Sequence, residues 1–273
     1  MSRSASIEPP GVRHAKVRLA DGEIHYVEAG NGPALVLIHG GHGSWTHWIA
    51  NIEPLARQRR VIALDLPGFG ASYNPTTAYT IEQYAGTVRD VLDVLAIERT
   101  AIAGFSFGCV VSAATARAEP SRITHLAMTN PPGIGPSSPI AAGIQRSLSQ
   151  LSIRKGLRHG AAESLRQLQL FNHALIDDTV VDMMLANVRQ TRFVSRSLSQ
   201  ISNTDQIVSE VKQPTLVMIG REDIHRQHGL SETLRILPQV APHAQICLIE
   251  RARHWLQFDR AALFNELLGD FVG

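Results

Sequence analysis

The chain has 273 residues, of which 44% are apolar and 18% charged, and its formal net charge is +2. Those values suit a folded α/β domain, alone or with an insertion, and provide enough apolar material for a core. A charge so close to balance, without a dense Lys/Arg run, gives no basis for nucleic-acid binding. No apolar run approaches the ~18 residues of a membrane helix, and the opening "MSRSASIEPPG" lacks the apolar stretch of a secretory signal. The expectation is a cytoplasmic protein without a membrane or nucleic-acid partner. Cys109 and Cys247 both lie in apolar surroundings without ligand-type spacing, so they read as small buried hydrophobes rather than a disulfide or metal pair.

In chain order, "AKVRL" at 15–19 and "EIHYVEAG" at 23–30 alternate and predict an antiparallel hairpin turning at Asp21-Gly22. "ALVLIHG" at 34–40 and "RVIALDLPGFG" at 60–70 begin as continuous apolar runs, the pattern of strands buried on both faces. "WTHWIANIEPLA" between them reads as a helix. In 80–97, Ile81, Tyr84, Val88, Val91, Leu92 and Leu95 recur at helical steps behind a Thr80–Gln83 capping box. A short buried strand "TAIAGF" at 100–105, a helix "CVVSAATARAE" and a strand at 123–130 follow. This strand–helix alternation predicts a parallel sheet with helices on both faces. The breaker-rich "PPGIGPSSP" at 131–139 ends the rhythm, and the sequence is helical in pattern until about 205. Strands return at 214–220 and 244–250, before a closing helix "RAALFNELLGDFV". The expected organisation is a core of 1–132 and 206–273 with a helical cap, 133–205, inserted between two strands.

Gly104-Phe105-Ser106-Phe107-Gly108 is G-x-S-x-G between a predicted strand and a predicted helix. Such a turn holds the serine in a strained conformation at its apex, and glycines on either side let strand and helix approach. The hydroxyl then projects above the carboxyl edge of the sheet, beside the positive end of the helix. A serine hydroxyl needs a base near neutral pH. Of the twelve histidines, His254 is the best placed, just past the last predicted strand. A carboxylate must orient that imidazole, and Asp223 lies three residues beyond "PTLVMIG". Glu222 and Glu250 are the competitors. An oxyanion site needs two N–H donors; Gly41 in "HGGHGSW" and Phe107, next after the serine, are the candidates.

"HGGHGSW", "DLPGFGAS", "GFSFG", "GREDIH" and "RHW", in this order, resemble the α/β-hydrolase superfamily across nearly the whole chain. The resemblance implies a mostly parallel eight-stranded sheet, a helical cap, and a Ser106, Asp223, His254 triad without cofactor or metal. Cys109 stands where members often have a second glycine, and Arg253 where a glycine often precedes the histidine. A guanidinium turned inward there would oppose the imidazolium, so Arg253 is expected to point outward. Serine at 106 argues against the dehalogenase and epoxide-hydrolase branches, whose nucleophile is a carboxylate. The acid position that some members use after the sixth strand falls near uncharged Asn130. "HWLQF" followed by "FN" also resembles the meta-cleavage-product hydrolases, which split a C–C bond in keto acids and hold a carboxylate with a cap arginine. Arg189 and Arg192 are the candidates for that arginine.

Several residues have structural readings. His39 is expected to serve its loop, Asp65 to serve a turn, and Trp45 and Trp48 to pack. His42 and His47 are open between structure and substrate lining, and Trp255 is expected to pack, with a pocket wall next to the base as its alternative. His225 and His228 near Asp223 have no recognised metal-ligand spacing. Arg146, Arg154, Arg158, Arg189, Arg192 and Arg196 form either a solvated helical face or a surface for an anionic substrate. The expected function is hydrolysis of a small or medium carboxylic ester through an acyl-enzyme. The alternatives are C–C hydrolysis of keto acids and a non-catalytic small-molecule receptor on the same fold. The sequence is compatible with a homodimer but does not specify one.

Overall fold

Eight strands form one sheet in the computed structural model, which describes residues 8–136, 138–193, 198 and 203–273. They are β1 (Arg13–Arg18), β2 (Glu23–Ala29), β3 (Ala34–Ile38), β4 (Arg60–Leu64), β5 (Thr100–Phe105), β6 (Ile123–Thr129), β7 (Thr215–Gly220) and β8 (Ala244–Ile249). Their spatial order is β1-β2-β4-β3-β5-β6-β7-β8. β2 runs antiparallel to β1 and β4, and the pairs from β4 through to β8 are parallel.

Alternation along each strand divides the core in two. Val36, Ile38, Ile62, Leu64, Ile102, Met128, Val217 and Ile219 face one layer, which packs on α2 (Ile81–Val94), α3 (Phe107–Ala118) and the helix Leu230–Val240. Leu35, Leu37, Val61, Ala63, Ala101, Ala103, Ala127 and Leu216 face the other, with Trp48 and the closing helix Ala261–Val272. The small strand residues of the second face leave room for Trp48 and Phe264, whose ring centroids are 5.9 Å apart.

Local signals account for most element ends. Thr80 and Gln83 make the reciprocal capping box that starts α2. "WTHWIANIEPLA" is not one helix. It is a 3-10 turn, Trp45–Trp48, and a separate short helix α1, Ile52–Ala56. Ser44 caps the turn, and buried Asn51 ties that junction to the Gln257 carbonyl and to Asn265. The helix Leu230–Val240, which carries Pro238 in its last turn, has no counterpart in the sequence reading. Between β6 and β7 lie α4 (Pro139–Lys155), α5 (Leu157–Ser164) and α6 (Asp178–Arg189), and no strand occurs among the described residues of that segment. No described helix is long and apolar enough to cross a membrane.

The strand-to-helix turn from β5 to α3 is set by steric crowding. Ser106 has φ 50° and ψ −118°, a backbone that costs ~1–3 kcal/mol in a non-glycine residue. It is held by Ser106 N–H donating to Thr129 O (2.9 Å) and Cys109 N–H donating to Ser106 O (2.9 Å). A Cβ on Gly104 would lie 2.3 Å from Gly108 O, and one on Gly108 would lie 2.2 Å from Ile38 O. Both contacts are with backbone, so neither relaxes by a rotamer change. Gly108→Ala is therefore expected to destabilise the protein by more than ~3 kcal/mol. Gly143→Ala, on α4 with nothing within 4 Å, is expected to stabilise by ~0.5–1 kcal/mol. Urea unfolding of the two variants beside wild type checks both signs.

Candidate active site

The carboxyl ends of β3, β5, β6, β7 and β8 supply the loops that meet at Ser106. Non-glycine residues with positive φ gather there: His42 after β3 (53°), Ser106 after β5 (50°), Asn130 after β6 (49°) and Arg251 after β8 (55°). Backbone strain of this kind concentrates where geometry serves chemistry.

His254 Nε2 lies 3.0 Å from Ser106 Oγ, and His254 Nδ1 lies 2.8 Å from Asp223 Oδ2. An ionised carboxylate can only accept, so Nδ1 carries the proton and donates to Asp223. The lone pair of Nε2 is thereby turned toward the Ser106 hydroxyl. Asp223 is 1% exposed, and its other oxygen, Oδ1, accepts the His225 N–H at 2.9 Å. Burial alone pushes this carboxyl up. The charge and hydrogen bond of His254, with the charges of His225 and Arg226, outweigh burial and hold it down at about 2. Arg226 is itself buried and donates to the Ile134 carbonyl (2.7 Å) and to Thr233 Oγ1 (3.0 Å).

The two N–H groups suggested for an oxyanion site, those of Gly41 and Phe107, make no hydrogen bond among the described residues. Phe107 opens α3, so its N–H is one of the unsatisfied donors at a helix start. The Gly41 loop is braced from below. His39 Nδ1 donates to Gly40 O (2.7 Å), and His39 Nε2 accepts the Leu66 N–H (3.0 Å), which fixes its tautomer. His47 Nδ1 accepts the Gly40 N–H at 3.2 Å. Burial lowers the His39 pKa, against the opposing pull of Asp65. His47 is lowered well below its ordinary value by burial, then by repulsion from His39, His254 and His42. Both rings stay neutral near pH 7. Asp65, also buried, accepts the Trp45 N–H and the Ala71 N–H and pairs with His25 at 2.8 Å.

The remaining candidates divide. Trp255 is 4% exposed; its indole N–H donates to His47 O at 2.9 Å and its ring stacks on Phe258. It packs and clamps the Gly41 loop. Arg192 donates to the carbonyls of Gly70 and Ser72, so its guanidinium is already engaged by backbone. Arg189 is exposed at the end of α6. The structure thus gives neither arginine a contact with the Ser106 cluster. Arg253 donates to the Arg166 carbonyl, turned away from His254. His42 is exposed. Arg196 lies outside the described residues, as do residues 1–7.

The sequence reading missed four supporting residues. Asn130 donates to the His254 carbonyl (2.8 Å) and the Arg253 carbonyl (3.2 Å) and accepts the Gly220 N–H (2.9 Å), pinning the histidine loop to the ends of β6 and β7. Asp259 accepts the N–H groups of Phe171, Asn172 and Arg253. Asn187 on α6 accepts from Ser44 Oγ (2.7 Å) and Thr46 Oγ1 (3.1 Å), joining the β6–β7 segment to the Gly41 loop. His225 lies against His254 with ring centroids 4.4 Å apart. In the sequence Asn130 stands out only as the uncharged residue at the alternative acid position and His225 only as a neighbour of Asp223; Asn187 and Asp259 give no signal.

A family profile described as alpha/beta hydrolase fold matches residues 33–261. A 2-hydroxy-6-oxononadienedioate/2-hydroxy-6-oxononatrienedioate hydrolase of Comamonas testosteroni is 31% identical, over 93% of this chain and 92% of its own. A 2-hydroxymuconate semialdehyde hydrolase of Pseudomonas sp. (strain CF600) is 30% identical, over 90% of this chain and 88% of its own. Among solved structures, naproxen esterase (carboxylesterase NP) from Bacillus subtilis has a TM-score of 0.84 over 98% of this chain and 94% of that one. Its 22% identity makes that a likeness of fold. The strand order, the G-x-S-x-G turn and a profile that spans most of the chain agree: the protein belongs to the alpha/beta hydrolase fold family and is a hydrolase.

Proposed function

We propose that the protein is a serine hydrolase that cleaves a small or medium carboxylic ester through an acyl-enzyme on Ser106. The observation that supports this reading best is the unbroken line of hydrogen bonds Ser106–His254–Asp223 at 3.0 and 2.8 Å. His254 Nε2 takes the hydroxyl proton as Ser106 Oγ attacks the carbonyl carbon. The imidazolium that forms is stabilised by ionised Asp223. The N–H groups of Gly41 and Phe107 receive the oxyanion, each such donor being worth ~3 kcal/mol in the transition state. His254 then gives its proton to the leaving alkoxide, and a water activated by the same imidazole releases the acid. Segment 133–205 is read as the cap over this site. Its ties to the site loops through Asn187 and Asp259 support that reading.

A second reading is C–C hydrolysis of a 2-hydroxy-6-oxo-dienoate, favoured by what the relatives at 30% and 31% identity are named for. It uses the same three side chains, with a carbon leaving group. The engagement of Arg192 by the carbonyls of Gly70 and Ser72 weighs against it, because a dienoate carboxylate needs a cation.

Ser106→Ala is expected to abolish turnover of p-nitrophenyl esters and labelling by a fluorophosphonate, with unfolding unchanged. Full activity in that variant would remove the mechanism. Asp223→Asn is expected to lose roughly 10⁴-fold in kcat by favouring the wrong imidazole tautomer.

Asp223 titrates at about 2 in the folded protein, below its ordinary 3.8. Its ionisation therefore favours folding above the ordinary value, and that contribution is lost as pH falls through about 2. Asp223 is thus expected to contribute no acid limb to a kcat/KM profile until pH approaches about 2. Parallel assays with a short-chain ester and a 2-hydroxy-6-oxo-dienoate separate the two readings: kcat/KM is expected to be higher for the ester, and the opposite order selects C–C hydrolysis.

A further inference from the structure

We propose that a divalent transition metal of the Zn²⁺ type binds between Asp223, His225 and His254 and reversibly switches the hydrolase off. The inference rests on the reading of His254 as the base. Each of these three residues offers one ligand atom, and the three atoms lie within 4.8 Å of one another, the one such group among the described residues. Two of the ligands are imidazoles whose ring centroids are 4.4 Å apart at 53°. The third is a carboxylate that is ionised at neutral pH. Two histidines and one carboxylate form a recognised three-ligand zinc set, leaving a fourth position for water.

The backbone favours this set. The His225 N–H already donates to Asp223 Oδ1 at 2.9 Å, so the His225 main chain is fixed beside the carboxylate. A tetrahedral ion at ~2.0–2.1 Å from each donor needs donors about 3.4 Å apart. Rotation of the two rings, both only partly buried, is the movement available to reach that spacing.

Neighbouring imidazoles are committed elsewhere. Both His39 nitrogens are hydrogen-bonded, and His47 Nδ1 holds the Gly40 N–H.

Inhibition follows whichever nitrogen of His254 takes the metal. Coordination at Nδ1 displaces the bond to Asp223. Coordination at Nε2 occupies the lone pair that receives the Ser106 proton. The ligand chemistry also sets selectivity, because imidazole suits Zn²⁺, Cu²⁺ and Ni²⁺ whereas Mg²⁺ and Ca²⁺ require oxygen-rich sets. His225 also supports the metal-free site, through its ring against His254 and its N–H on Asp223, so metal sensitivity is read against each variant's own metal-free turnover.

The test is calorimetric titration of the protein with ZnCl₂, beside p-nitrophenyl ester turnover in ZnCl₂ and in MgCl₂. Wild type, His225→Phe and His225→Gln are compared, with melting temperatures to establish folding. The expected result is one Zn²⁺ bound per wild-type chain, inhibition reversed by EDTA, and no effect of Mg²⁺. Both variants are expected to lose roughly tenfold or more in Zn²⁺ affinity, and in sensitivity read against each variant's own metal-free turnover. Absence of a calorimetric Zn²⁺ signal in wild type overturns the proposal, as does equal Zn²⁺ sensitivity in folded His225 variants. Zn²⁺ binding that depends on His225, in a protein whose turnover survives Ser106→Ala, supports the metal site while the hydrolytic assignment fails.

Discussion

The chain can turn from β5 into α3 only because two carbonyl oxygens stand where side chains would otherwise be. Gly108 O lies against Gly104, and Ile38 O lies against Gly108. This contact locks β3, β5 and α3 together at a separation that no Cβ permits. The strained Ser106 backbone is its consequence, held by Thr129 O on one side and the first turn of α3 on the other. Cys109 belongs to the same device. Its thiol donates to Gly104 O and Thr129 O, and burial pushes its pKa up, so it stays a thiol and a packing group. The place a second glycine often takes in the family is thus filled here by a side chain that ties the turn to both adjoining strands.

Around that fixed point the electrostatics are arranged by hydrogen bonding more than by formal charge. Asp223 is nearly inaccessible, yet it retains its charge because His254 and the His225 N–H satisfy both oxygens. His39 and His47 are neutral because burial disfavours their charged forms. A buried charge without such partners would cost several kcal/mol. The Gly41 loop can therefore present its N–H on a scaffold braced by the hydrogen bonds of His39, His47 and Asp65. Asn130 occupies the uncharged position after β6 and works through carbonyls and an amide rather than as an acid.

The segment between β6 and β7 is joined to the site through polar knots. Asn187 meets Ser44 and Thr46, Asp259 gathers three backbone N–H groups, and Arg192 holds the carbonyls of Gly70 and Ser72. In that segment Arg192 is thus engaged by backbone. Long cationic side chains satisfy orphan carbonyls as readily as they bind anions, and a sequence shows only the cation.

The strands and α2 were legible without coordinates because their signals are local. Apolar runs of five to seven residues, a capping box and flanking breakers each act within a few residues. Ser106, Asp223 and His254 were legible as candidates because strand ends in an open α/β sheet share one edge. The fate of other polar side chains depended on partners 31 to 143 positions away, as with Asp223 and His254, Asn130 and His254, or Ser44 and Asn187. Hydrogen bonds act over about 3 Å in space and have no reach along the sequence. The sequence therefore determined where the chain extends, coils and turns, and only the packed sheet decided which imidazole faces Ser106, which arginines are engaged and which ring lies beside His254.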